Sequence, residues 1–193
     1  MSSRLILRLY KCADEMRFHE AVLMAAKAMS EPMRWGYPTA PRDKIESAYQ
    51  DGVHTTFVPW QQHEYAFSAE LGHILDVPWI ELRIQESNHW DYTLYHGKEC
   101  LDDFSTCPQY YEDDEEHLKL KRGQPQILSK TWGIPLDRIE RYLVNWGTRI
   151  NRKTKEEEFV LKGKAYPDDE FEYGDYEQYF DVLRVLSGKW PRD

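Results

Sequence analysis

Apolar positions in the N-terminal part of the chain switch between strand spacing and helix spacing. Residues 5–12, LILRLYKC, carry apolar side chains on both faces, which predicts a central strand. Asp14 is a favourable helix N-cap, and apolar residues recur every three or four positions in the EMRFHEAVLMAAKAM that follows, which predicts a helix. Residues 54–60, HTTFVPW, predict a second strand, and residues 63–75, HEYAFSAELGHIL, predict a second helix.

The clearest strand signal lies in the middle of the chain. Within residues 79–86, WIELRIQE, apolar and polar side chains alternate from Ile80 to Gln85. Two further segments, 90–95 and 99–104, follow after the turn-forming sequences SNH and HG. Together they predict a three-strand antiparallel meander over 79–104. We expect helices to pack on one face of this meander and water to cover the other.

The C-terminal part of the chain is dominated by helical patterns. Residues 125–133 and 135–146 predict two helices joined by a Gly-Ile-Pro turn, and residues 176–188 predict a final helix. One more strand is expected in EEEFVLKGKAY, residues 156–166. This order of elements predicts an α+β fold built on a mostly antiparallel sheet, with a C-terminal helical part.

The composition is that of a folded domain. The 193 residues suffice to bury a core, and 14% aromatic residues supply large side chains for it. We expect one α+β domain over 1–193, in which YEDDEEHLKLKRGQ offers a sub-boundary near 107–124 between the sheet part and the helical C-terminal part. Arg4, Arg8 and Lys11 interrupt the apolar N-terminal run, and no segment reaches the roughly 20 apolar residues of a membrane span. We therefore expect a cytoplasmic protein that does not contact membranes.

The three cysteines agree with a reducing compartment. Cys12, Cys100 and Cys107 form an odd set without C-x-x-C spacing, which predicts free thiols. Cys12 and Cys100 lie in predicted strands and are expected to be small core residues. Cys107 is expected to be the most exposed of the three.

The net charge of −9 is unevenly distributed along the chain. Residues 119–155 contain ten Lys and Arg against two Asp and Glu, whereas both flanking parts are acidic. This basic block overlaps the predicted helical pair at 125–146. It raises the hypothesis of a helix-turn-helix-like, DNA-binding pair. The candidate DNA-contacting residues are Arg138, Arg141, Arg149, Arg152 and Lys153.

The same pair has a purely structural interpretation, which we favour. Ile139, Tyr142 and Leu143 recur at helical spacing with Trp146 and predict a core stripe. Acidic residues also accompany the basic ones and would repel phosphate. We therefore expect the segment to pack in the interior and keep DNA binding as an alternative.

One predicted helix carries residue types that bind metals. His63, Glu70 and His73 lie within 63–75, and Glu-x-x-His is a spacing used by carboxylate-bridged metal sites. Such sites need further copies of the spacing on other helices, and no other predicted helix carries one. We expect surface side chains here, with these three residues as metal-ligand candidates.

Two acidic runs, 112–116 and 168–175, have aromatic residues within or beside them. Acidic runs usually serve solubility, but aromatic anchors inside an acidic rim are typical of surfaces that bind basic partners. The candidate partner-binding residues are Tyr110, Tyr111, Asp168, Asp169, Glu170, Phe171 and Tyr173.

Catalytic and nucleotide-binding motifs are missing from the sequence. It contains no G-x-S-x-G, G-x-x-x-x-G-K-[ST], G-x-G-x-x-G or H-E-x-x-H. We expect a non-catalytic partner-binding or regulatory protein that uses no cofactor and neutralises a basic protein partner. The alternatives are DNA binding by 125–146 and an enzyme whose His/carboxylate site is assembled in three dimensions.

Overall fold

The computed structural model describes residues 4–30, 45–57, 64–85, 89–110, 115–150, 152–155 and 157–189. The strands are β1 (Arg4–Lys11), β2 (Glu46–Gln50), β3 (Val53–Phe57), β4 (Pro78–Gln85), β5 (His89–His96), β6 (Glu99–Ser105), β7 (Thr148–Ile150) and β8 (Glu157–Phe159). The α-helices are α1 (Glu15–Ser30), α2 (Glu64–Leu75), α3 (Glu115–Leu120), α4 (Pro125–Trp132) and α5 (Gln178–Val185). Short 3-10 helices lie at Pro108–Tyr110 and Leu136–Arg138.

The predicted α+β fold is confirmed. Six strands form one antiparallel sheet in the order β2-β3-β1-β4-β5-β6, and β7 pairs antiparallel with β8 in a second, two-stranded sheet. The three predicted meander strands are consecutive neighbours, as a meander requires. In the register of the other half of the sheet, Thr55 of β3 lies opposite Leu9 of β1 and Ala48 of β2.

The prediction that one face of the meander is solvated is wrong. Every residue of β5 from His89 to Tyr95 is buried, so both faces of this strand are covered. Tyr95 contacts the ring of Tyr65 in α2, whereas the indole of Trp90 donates a hydrogen bond to Gln178 in α5. The alternation along β5 predicts that one face is mainly apolar and the other mainly polar. It does not reveal that both faces are buried.

Contacts between residues divide the chain into two units that are each discontinuous in sequence. The first, here called the C-terminal unit, comprises Met1–Leu5, Leu82–Thr93 and Asp102–Leu186. The second, the N-terminal unit, comprises Ile6–Glu81, Leu94–Leu101 and Ser187–Asp193.

The core of the N-terminal unit is organised around Trp79. Its ring is stacked between those of Tyr10 and Tyr95, at centroid distances of 5.8 and 4.2 Å. The indole donates a 2.8 Å hydrogen bond to the carbonyl of Gly97. Gly72 of α2 allows this close packing, since a Cβ there would lie 2.3 Å from the indole nitrogen.

The core of the C-terminal unit includes the apolar residues that the 135–146 segment was predicted to bury. Ile139, Tyr142, Leu143 and Trp146 are all at most 8% exposed, so their predicted burial is confirmed.

The predicted second helix at 135–146 is wrong. After α4 the chain leaves the helix at Gly133, whose φ is 75°, and then forms only a 3-10 helix and successive turns. Tertiary hydrogen bonds explain the difference. The Trp146 amide donates to the carbonyl of Thr106 at 2.8 Å, and the Asn145 side chain donates to that of Ser105 at 2.7 Å. The segment thus buries a helix-like stripe without being a helix.

Two of the three cysteine predictions are wrong. None of the three cysteines forms a disulfide and Cys12 is buried as expected, but Cys100 is exposed and Cys107 is buried. Cys107 follows the end of β6, where the chain turns back into the core of the C-terminal unit. Among the described helices, none has the length and apolar composition needed to cross a membrane.

Candidate partner-binding surface

The second acidic run lies in a loop, residues 165–177, that leads into α5. Buried Ala165 and Tyr166 anchor its beginning. Within this loop, two neighbouring aspartates of the predicted surface have opposite environments. Asp168 is 56% exposed, whereas Asp169 is only 4% exposed. The prediction of Asp169 as a surface residue is therefore wrong.

Asp169 is an internal acceptor that holds the loop. Its carboxylate accepts hydrogen bonds from the Tyr142 hydroxyl and, at 2.9 Å, from the Tyr166 amide. The Arg184 guanidinium lies 3.5 Å away and supplies a compensating positive charge. Burial and the adjacent carboxylate raise the pKa of Tyr142 well above its ordinary value. The hydroxyl therefore stays protonated and keeps donating to Asp169.

A second buried carboxylate, Asp181 of α5, fixes the middle of the loop. It is 3% exposed and accepts hydrogen bonds from the amides of Glu170 and Phe171 at 3.0 to 3.1 Å. Arg184 donates to it at 3.1 Å. Because backbone amides are bound directly, the positions of Glu170 and Phe171 are set by the core and not by solvent.

The end of the loop is fixed in the same way. The hydroxyl of Tyr173 donates a 2.7 Å hydrogen bond to the carbonyl of Arg141, and burial raises the pKa of this hydroxyl. Asp175 accepts a hydrogen bond from the Glu172 amide at 3.1 Å, which closes a local turn. The loop is consequently held at its beginning, middle and end.

The outer side of this fixed loop combines aromatic rings with carboxylates. Phe180 of α5 is 40% exposed, and its ring centroid lies 6.3 Å from that of the half-buried Phe171. Glu170 and Glu172 flank Phe171 in the chain, and Asp175 follows in the same loop. All three side chains are exposed, and no ion pair within the described part of the chain neutralises them. We call Glu170, Phe171, Glu172, Asp175 and Phe180 the acidic aromatic surface.

Only some of the predicted partner-binding residues belong to this surface. Glu170 and Phe171 lie on it, Asp168 and Tyr173 lie in the same loop, and Asp169 lies beneath it. Tyr110 is half exposed and packs against His89, with ring centroids 4.7 Å apart. Tyr111 lies outside the described residues.

Sequence reasoning missed two residues that the surface depends on. Phe180 was overlooked because the apolar stripe of α5 consists of Tyr179, Val182, Leu183 and Leu186. A large aromatic residue off that stripe was a usable signal, because it must be at least partly exposed. No comparable signal marked Asp181 as buried.

The basic residues predicted to contact DNA are not arranged along a helix. Arg138 lies 3.5 Å from Asp168, and the Arg141 guanidinium lies over the ring of Tyr166 at 5.4 Å. Arg152 and Lys153 are exposed in the turn between β7 and β8. The side chain of Arg149 lies outside the described residues.

The metal-ligand candidates are not gathered into a site. Glu70 pairs with Lys98 at 3.0 Å, His73 is exposed, and His63 lies outside the described residues. Within the part of the chain that the structure describes, no group of three or more His, Cys, Asp and Glu side chains is positioned to hold a metal ion.

A cluster of charged residues on the meander bears on the enzyme alternative. Arg83 contacts Asp91, donates a 2.9 Å hydrogen bond to Thr93 and lies 4.0 Å from Asp103. Asp103 also pairs with Lys121 at 2.5 Å. Two cations face two carboxylates, so the charges balance within the cluster. Such mutual pairing is typical of structural ion-pair networks.

The chain matches no protein-family model, no curated protein and no solved structure.

Proposed function

We propose that the protein is a non-catalytic, partner-binding protein whose acidic aromatic surface binds a basic segment of another protein. The observation that carries this proposal is the contact of the 40% exposed Phe180 with the half-buried Phe171, which the exposed Glu170 and Glu172 flank in the chain. Aromatic anchors surrounded by a polar rim are the usual composition of a binding hot spot. We keep the cytoplasm as the proposed location, because three cysteines without a disulfide are typical of a reducing compartment.

The rigidity of the loop supports this function. A surface that is ordered before binding loses less conformational entropy when the partner docks. Here the buried carboxylates of Asp169 and Asp181 hold the loop, so the exposed carboxylates remain available for a partner. Buried and exposed acidic residues thus have separate roles in one short segment.

The charge of the surface defines the chemistry of the partner. Glu170, Glu172 and Asp175 attract Lys and Arg side chains, and the faces of Phe171 and Phe180 accept the same cations through cation–π contacts. Because these carboxylates are exposed, the electrostatic part of the affinity falls as salt rises. The proposed partner is a protein segment rich in Lys or Arg.

DNA binding remains an alternative with weaker support. Arg138 is paired with Asp168, and Asp137 and Glu140 are exposed beside it, so phosphate would meet carboxylates as well as arginines. Absence of binding to mixed duplex DNA at low salt would remove this alternative, because phosphate contacts are strongest there.

The proposal is tested by affinity capture from a lysate of the source organism at moderate salt. The surface variant is Glu170→Lys/Glu172→Lys, which reverses two exposed charges and leaves Asp169 and Asp181 in place. The control variant is Glu20→Lys/Glu99→Lys, which makes the same charge change at two exposed positions outside both acidic runs.

We expect the natural protein and the control variant to retain one basic protein in stoichiometric amount, and the surface variant to lose it. With that partner purified, Phe180→Ala should weaken binding about tenfold or more, whereas Leu120→Ala, at a residue 68% exposed on α3, should not. Equal retention by the surface variant, or no stoichiometric partner, contradicts the proposal.

A further inference from the structure

Helix α1 exposes three large apolar side chains on one side. Met16, Leu23 and Met24 are 75, 50 and 58% exposed, whereas Phe18 and Ala25 on the opposite side are buried in the core of the N-terminal unit. Residues seven positions apart share one face of a helix, so Met16 and Leu23 are aligned and Met24 lies beside Leu23. No other helix in the described part of the chain exposes more than one large apolar side chain. A concentration of this kind is typical of an interaction surface.

Two opposite charges lie on the same side of α1. Glu20 and Lys27 are both exposed, and they are separated by two helical turns, or about 10 Å along the helix axis. Glu20 precedes Leu23 by three residues, and Lys27 follows Met24 by three residues. About the point between Leu23 and Met24, this side of the helix is therefore symmetric in its spacing and opposite in its charge.

A second copy of α1 that runs antiparallel complements this pattern. A two-fold axis through the point between Leu23 and Met24 places Leu23 of one copy opposite Met24 of the other, and Glu20 of each copy opposite Lys27 of the other. Two ion pairs then flank an apolar centre. A parallel arrangement would instead place Glu20 opposite Glu20 and Lys27 opposite Lys27, and like charges repel. Self-complementary faces related by a two-fold axis are the commonest way in which soluble proteins associate.

We propose that the exposed side of α1 pairs with the same side of a second copy of this chain as an antiparallel helix pair. This side, here called the α1 face, consists of Met16, Glu20, Leu23, Met24 and Lys27. The apolar centre supplies the attraction, and the two ion pairs set the direction. One helix face buries less than the roughly 1,200 Å² of a standard-size interface, so the dimer is weak and depends on concentration. The α1 face shares no residue with the acidic aromatic surface, so this association does not rest on the proposed function.

The apolar centre is tested by sedimentation equilibrium of the full chain at micromolar to millimolar concentrations. We expect the natural protein to follow a monomer–dimer equilibrium. Leu23→Gln should lower the association constant about tenfold or more, because each copy loses a buried apolar side chain. The matched control is Leu120→Gln, which makes the same change at a residue 68% exposed on α3 and should leave the association constant unchanged.

The direction of the pair is tested by exchanging its charges. Glu20→Lys alone and Lys27→Glu alone should each weaken association about tenfold, because attraction becomes repulsion at both ends of the pair. An equimolar mixture of these two variants should associate as the natural protein does, because each Lys then faces a Glu of the other chain. The double variant Glu20→Lys/Lys27→Glu should also associate normally. Glu99→Lys, an equal charge change at an exposed position outside α1, should have no effect.

Four results would overturn the proposal. The first is a natural protein that stays monomeric at every concentration. The second is self-association that Leu23→Gln does not weaken. The third is a mixture of Glu20→Lys and Lys27→Glu chains that associates no better than either variant alone. The fourth is a monomeric natural protein that sediments with phosphatidylcholine vesicles and loses this binding in Leu23→Gln, because the α1 face would then bind a membrane surface.

Self-association and partner binding are distinguishable in the same set of variants. The capture control Glu20→Lys/Glu99→Lys carries one of the charge changes that weaken the dimer. We expect it to associate about tenfold more weakly than the natural protein and still to retain the basic partner, because the two surfaces are separate.

Discussion

The Arg138 guanidinium lies 3.5 Å from the Asp168 carboxylate and joins the predicted basic block to the predicted acidic run. Both side chains are about half exposed, at 54 and 56%. A solvent-exposed pair of this kind contributes about 0 to 1 kcal/mol to stability, since water and salt screen it. Its importance is that the basic block and the acidic run seen in the sequence partly neutralise each other.

Asp168→Asn and Asp169→Asn are expected to differ strongly in stability. Replacing Asp169 should lower the free energy of unfolding by roughly 2 to 3 kcal/mol, because the buried Tyr142 hydroxyl and the half-exposed Arg184 lose a charged, buried acceptor. Replacing Asp168 should change it by about 0.5 kcal/mol or less. Urea unfolding of both variants measures this difference, and equal losses would contradict the separation of roles in the loop.

Gly72→Ala is expected to destabilise the protein although Ala favours helices. The new Cβ would lie 2.3 Å from the Trp79 indole nitrogen, and Trp79 cannot withdraw because Tyr10 and Tyr95 stack on both faces. We expect a loss of about 2 to 3 kcal/mol.

The control for that prediction is Ala66→Gly at an exposed position of the same helix, α2, where the loss should be about 1 kcal/mol from helix propensity alone. Thermal unfolding of the two variants checks the order of the effects. A Gly72→Ala protein as stable as the natural one would show that the indole has room to move.

Arg8→Met should be strongly destabilising. Arg8 donates from Nε and Nη2 to one oxygen of Glu81 at 3.0 and 2.8 Å, and the two side chains are 1 and 5% exposed. Removing one partner leaves a buried charge, which costs about 3 to 5 kcal/mol.

The double variant Arg8→Met/Glu81→Met should recover most of that loss, because no uncompensated charge remains. A double-mutant cycle by urea unfolding measures the coupling. If the loss of unfolding free energy in the double variant equals the sum of the losses in the two single variants, the two side chains are not energetically coupled, which contradicts the prediction.

The protein is expected to become less stable as the pH is lowered, because His54 is buried in its neutral form. Burial, and secondarily the electrostatic influence of the neighbouring His19 side chain, lowers the pKa of His54 from 6.5 to about 4. Between these two values the unfolded state binds a proton that the folded state does not. The contribution of His54 is therefore fully present above pH 6.5 and is lost as the pH falls towards 4, by roughly 1 to 3 kcal/mol.

The comparison for this prediction is His54→Phe, which keeps a ring against Phe18 but cannot titrate. Urea unfolding at several pH values between 7 and 4 should give a shallower pH dependence for the variant, by up to one proton. Identical dependences would mean that other groups cause the acid sensitivity.

Part of the candidate site was predictable from the sequence. Acidic residues with aromatic neighbours identified the 168–175 run as a surface candidate, and Glu170 and Phe171 are exposed or half exposed there. A rule based on residue type, however, cannot distinguish the exposed Asp168 from the adjacent, buried Asp169. Asp169 is buried because Tyr142, 27 residues earlier in the chain, donates to it. The alternation of charged and aromatic letters contains no information about that contact.

Some secondary-structure elements could be predicted from the sequence alone. In these elements the local sequence pattern agrees with the tertiary environment. The alternation of apolar and polar residues predicted β4. Asp14 precedes α1 as its N-cap and accepts a 3.0 Å hydrogen bond from the Arg17 amide. Such patterns extend over a few residues only, so the neighbouring residues in the sequence are sufficient to predict the element.

The 135–146 segment shows what the letters could not decide. Its apolar spacing required burial of Ile139 and Trp146, and both are buried, but its backbone conformation depended on hydrogen bonds to distant carbonyls such as that of Thr106. Burial follows from the hydrophobic effect, which has no direction, whereas a hydrogen bond needs a partner at a defined place. Only the folded chain supplies that place.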